Sequence, residues 1–129
     1  MVNQEKLSDL LSEHAGWQNQ ILNFKAELKA MKDELGTIVS RFTPREVPAS
    51  AEHFQNQFIL QRDVLDIMRH DFKQFENKVE DAQKGNNEVP EYLSQMRVAY
   101  NTRLADYDKI YHELKNEFEV FKKQDIVPA

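Results

Sequence analysis

Apolar side chains recur along this chain in alternating steps of three and four. In the first third they fall at Leu7, Leu10, Trp17, Ile21, Phe24, Leu28, Met31, Leu35, Ile38 and Phe42, with His14 completing the series. In the middle third the positions are Ala51, Phe54, Phe58, Leu65, Met68, Phe72, Phe75, Val79 and Ala82, with Gln61 in the same rhythm. In the last third they are Leu93, Tyr100, Leu104, Tyr107, Tyr111, Leu114, Phe118 and Phe121, with Arg97 in step. A 3.5-residue repeat sustained this long marks α-helices packed through coiled-coil-like seams. Three helices are predicted, at about 4–42, 49–84 and 88–124, each on the order of 55 Å long at about 1.5 Å rise per residue.

Two breaks separate them. Lys84-Gly85-Asn86-Asn87-Glu88-Val89-Pro90 offers a basic residue for the negative end of helix 2 and a glycine for the left-handed position after it. It also offers Asn87 as a cap, and a proline for the first turn of helix 3. Thr43-Pro44-Arg45-Glu46 has capping-box spacing, yet Pro48 follows closely. Helix 2 therefore starts either at Pro44, disturbed by Pro48, or near Ser50 after an irregular turn. Short links between helices of equal length imply antiparallel neighbours. The expected fold is all-α: one domain over residues 1–129, an elongated antiparallel three-helix bundle. A two-helix hairpin carrying a separate third helix is the alternative. Folding the turns back aligns the stripes in layers. Trp17 meets Phe75 and Tyr100, Ile21 meets Phe72 and Leu104, and Leu35 meets Phe58 and Phe118.

Composition narrows the function. Leu, Ile, Val and Phe make up about a quarter of the 129 residues, above the roughly 20% below which charged chains tend to stay unfolded. Three Gly and four Pro are too few for a sandwich of short strands. The absence of Cys excludes disulfides, thiolate metal sites and a cysteine nucleophile. No secretory signal is visible at the N-terminus and no run approaches a membrane span, so the expected compartment is the cytoplasm. The formal net charge of −5 is spread over all three segments without a basic stripe, which argues against nucleic acid and anionic membrane as partners.

Candidate chemistry is sparse. His53, His70 and His112 fall on outer positions and only His14 on the core stripe. The four cannot converge, and no Glu-x-x-His pair occurs. No serine lies in a nucleophile-elbow context and the glycines do not cluster into a phosphate loop. Neither catalysis, a cofactor nor a metal is expected. His14 reads either as a half-wet, hydrogen-bonded histidine at the bundle end or as a pH-sensitive core contact. Gln61 either joins the core near Met31 and Leu114 or tilts to its edge. Tyr100, Tyr107 and Tyr111 are expected to bury their rings and send their hydroxyls to solvent. The remaining signal is on helix 2, where Ile59 falls at heptad position b, and Leu60 and Ile67 at c, facing away from a three-helix core. These three are the candidate interface.

Two stretches of helix 2, Glu52-His53-Phe54-Gln55-Asn56-Gln57-Phe58-Ile59-Leu60-Gln61-Arg62 and Met68-Arg69-His70-Asp71, resemble a group of short, uncharacterised bacterial coiled-coil proteins. That resemblance implies a three-helix fold and no activity. A looser likeness to spectrin-type repeats, through three helices and Trp17 in the core stripe, is architectural. The expected function is a non-enzymatic helical module for protein–protein interaction or scaffolding, with a homodimer through helix 2 as its simplest form. The alternative is a bundle that assembles a metal or small-ligand site only on oligomerising.

Overall fold

A computed structural model of the chain describes residues 6–85 and 88–124. Three helices form: α1 (Leu7–Val39), α2 (Ala49–Gln83) and α3 (Glu91–Lys123), and no strand occurs among the described residues. They pack as an antiparallel three-helix bundle. The heptad stripes become its core, and every stripe position from Leu7 to Leu35 in α1 and from Ala51 to Val79 in α2 is buried. In α3 the stripe is buried at Leu93 and from Leu104 to Phe121, while Arg97 and Tyr100 are only partly covered.

Aromatic rings fill the layers. Trp17 lies 5.1 Å from Phe75 and 6.0 Å from Tyr100, centroid to centroid, as the layer alignment requires. At the opposite end Phe58 meets Phe118 edge-on at 5.1 Å, and Phe54 packs on Phe118 and Phe121 at 5.5 and 5.1 Å. Buried indoles seek a partner for the ring N–H. Trp17 Nε1 donates to Asn101 Oδ1 at 2.8 Å, and the Asn101 amide in turn donates to Glu13.

The helix ends differ from the sequence reading in instructive ways. Helix α1 stops at Val39, short of 42. The Thr37 hydroxyl donates to the Asp33 carbonyl and the Ser40 hydroxyl to the Thr37 carbonyl, side-chain bonds of the kind that compete with helix continuation. Both readings of the first link contribute. Thr43–Glu46 closes a reciprocal turn, with Glu46 N–H donating to the Thr43 carbonyl at 2.9 Å and Thr43 N–H to the Glu46 carboxylate at 3.1 Å. Pro48, extended at ψ 146°, then ends that turn, and α2 begins afresh at Ala49. Pro90 is likewise extended and stands just outside α3, so the helix begins at Glu91 and not at 88. Asn87, read as a cap, lies outside the described residues. Gly85 does not take a left-handed backbone; its N–H continues the turn to the Ala82 carbonyl at 3.1 Å.

Candidate functional site

Heptad geometry sorts the flanking positions by seam. The e side of α1 faces α2, where Lys25 pairs with Asp66 at 2.5 Å. Hydrogen bonding to Lys25 holds the Asp66 carboxyl below its ordinary range. The g side of α2 faces α3, where Asp71 pairs with Arg103 at 2.8 Å. That hydrogen bond likewise keeps Asp71 ionised below its usual range. The g side of α1 meets the e side of the parallel α3 in a ladder. Asn101 donates to Glu13, Lys115 to Glu27 at 3.1 Å and Lys122 to Glu34 at 2.7 Å, each pair 88 positions apart.

With the seams placed, the outer face of α2 is what remains. Leu60 is 50% exposed and Ile67 59% exposed. One heptad apart, they stand on the side of α2 that turns toward α3. Between them Val64 is half-buried, and it shares with Ile110 of α3, itself 49% exposed, the wall of a shallow groove of about 360 Å³. Ile59, 44% exposed, falls on the other flank. It lines a separate groove of about 720 Å³ between α1 and α2 with Ala26, Leu28 and Phe58, rimmed by Lys29, Lys32 and Arg62. The three candidate interface residues thus divide into a pair and a single residue on different grooves. The sequence reading did not include Val64 or Ile110. Position g flanks c on the helical wheel, so the step from Leu60 to Val64 was open to inspection, whereas Ile110 comes from another helix.

His14 is hydrogen-bonded and toward one end of the bundle, as the first reading has it, but it is not half-wet. It is 3% exposed, its ring edge-on to Trp17 and stacked over Phe75. Nδ1 lies 3.0 Å from Glu76 Oε2, and Nε2 lies 3.1 Å from the Gln18 amide nitrogen. Burial pulls its pKa below the ordinary 6.5 against the opposing pull of the Glu76 carboxylate. His53, His70 and His112 are exposed, and among the described residues no group of three or more His, Asp or Glu side chains is arranged to hold a metal. Gln61 joins the core, and the Tyr107 hydroxyl donates to its backbone carbonyl at 3.5 Å. The expectation that the tyrosine hydroxyls reach solvent fails for Tyr107 and Tyr111, which are buried, the latter beside Glu27. Desolvation raises both phenols well above their ordinary pKa. The Tyr111 hydroxyl turns toward the Glu27 carboxylate of α1, which also pairs with Lys115 at 3.1 Å.

No helix among the described residues is long and apolar enough to cross a membrane. No protein-family model, curated protein or solved structure matches the chain.

Proposed function

We propose that the chain is a non-enzymatic helical interaction module of the cytoplasm that pairs with a second copy of itself through the outer face of α2. The observation that carries the reading is the exposed strip of Leu60 and Ile67, widened by Val64 and by Ile110 across the α2–α3 groove. A two-fold axis between Leu60 and Ile67 sets each Leu60 against the partner's Ile67, so one patch suffices for both copies. Burying a Leu or Ile side chain is worth about 1.5–3 kcal/mol. Two such pairs support a weak dimer once the lost freedom of two bodies is subtracted. The resemblance of two α2 stretches to short bacterial coiled-coil proteins is compatible with such a module.

Sedimentation of the wild type beside Leu60→Glu with Ile67→Glu tests the reading. The wild type is expected to dimerise with rising concentration. The double variant is expected to remain monomeric with an unchanged circular-dichroism spectrum, because neither residue enters the core. A wild type that stays monomeric at high concentration, or a double variant that still dimerises, overturns it.

A further inference from the structure

Among the described residues the side chains buried between the helices are apolar or aromatic except for His14 and Gln61. His14 is the one whose charge can change near neutral pH. The Gln18 amide nitrogen lies 3.1 Å from His14 Nε2, and with the amide in this orientation Nε2 is the acceptor. The single ring proton then sits on Nδ1 and points to Glu76 Oε2 at 3.0 Å. In this arrangement the Gln18 side-chain oxygen is buried without a hydrogen-bond partner. A second proton on His14 reverses the fit. Nε2–H would confront the amide N–H, and only a half-turn of the Gln18 amide would bring its orphaned oxygen round to accept.

The His14 ring lines a groove between α1 and α2 into which Asp66, Arg69, His70, Lys73 and Glu76 of α2 also reach. On α2, Glu76 is shared with Lys73, which hydrogen-bonds the other carboxylate oxygen, and Glu80 lies a turn further on. On α3, Arg97 stands at the same heptad level and is held 3.6 Å from Glu13 of α1. The Glu76 carboxylate, shared with Lys73, and the Phe72 backbone carbonyl must therefore compensate an imidazolium packed against Trp17 and Phe75.

We propose that Glu76, His14 and Gln18 form a proton-operated clasp between α1 and α2, closed while the ring is neutral and loosened when it takes a second proton. The effect is confined to one end of the bundle. The far end is locked by Phe54, Phe58, Phe118 and Phe121, and no buried histidine lies there. The direction follows from linkage. The unfolded chain takes up the histidine proton near the ordinary 6.5 and the folded chain only at lower pH. Stability is complete above that value and declines as pH falls from it toward the folded pKa. Glu76, held below its ordinary 4.5 by its Lys73 hydrogen bond, titrates in a separate and more acidic window. The clasp does not depend on the dimer reading, because Leu60 and Ile67 lie on another face.

The test is an NMR titration of the full chain with amide exchange measured across the same pH range. The His14 ring is expected to titrate with a midpoint below 6.5. Below that midpoint, protection factors around His14, Trp17 and Phe75 should fall by about tenfold for each unit by which the midpoint is depressed. Those around Phe58 and Phe118 should hold. Glu76→Gln removes the carboxylate that favours the charged ring and should move the His14 midpoint lower still. A wild-type midpoint at or above 6.5, equal loss of protection at both ends, or an unmoved midpoint in Glu76→Gln overturns the proposal.

Discussion

Trp17 is the residue on which the most interactions converge. Its ring touches Phe72, Phe75, Tyr100 and His14, and its N–H is satisfied by Asn101, so it ties α1 to both other helices at one level. Truncating a buried aromatic of this size costs about 3–5 kcal/mol, and Trp17→Ala is expected to lose that much in denaturant melts. As the sole Trp, its emission in the wild type should be blue-shifted and move red on unfolding. A water-like spectrum in the native protein would contradict its burial. The position was legible in the sequence because heptad spacing marks a core site whatever side chain occupies it. Asn101 and Glu13 were not, since their roles depend on a seam that no single helix defines.

Within the elements, local chemistry decides boundaries and tertiary packing decides stability. Ser40, Pro48 and Pro90 stop or restart helices by rules that act over three or four residues. These ends were therefore visible to within a few positions, though Gly85 and the early stop of α1 were misread. Helix α1 also carries a cost in its interior. Gly16 and Gly36 are helical, and a methyl group added at either meets no atom within 4 Å. A helical Gly is less favourable than Ala by about 0.5–1 kcal/mol, mainly through backbone entropy. Gly16→Ala and Gly36→Ala should each raise stability by about that amount, additively because they are five turns apart. Thermal melts of the two single variants and the double variant check this, and a loss of stability at Gly36 would show that the end of α1 needs a looser backbone.

At the scale of the molecule, the bundle is keyed by its seams. The α1–α3 ladder repeats every heptad or two, so sliding one helix by a turn would break several rungs together. The Glu27–Lys115 rung is open to water, and exposed pairs are worth about 0.2–1 kcal/mol. Glu27→Lys and Lys115→Glu should each destabilise the protein, and the exchanged double variant should recover a coupling of about that size, shrinking with added salt. A double-mutant cycle with no coupling would show that the rung does not contribute.

What the sequence determined alone was most of the buried residues, with Arg97 and Tyr100 the partly covered exceptions in α3, and the number of helices. Burial in a coiled-coil seam depends only on spacing along one helix, and the 3.5-residue repeat is written out in full. The arrangement of α3 against the α1–α2 hairpin was decided by tertiary structure, because the same stripes fit a bundle of either hand. In this hand the g side of α1 meets α3 and its e side meets α2. That choice sets Glu27 against Lys115, brings Tyr111 beside Glu27 and brings Glu76 to His14. Each of these is a contact between helices whose flanking side chains carry no period of their own, so only the packed bundle could place them.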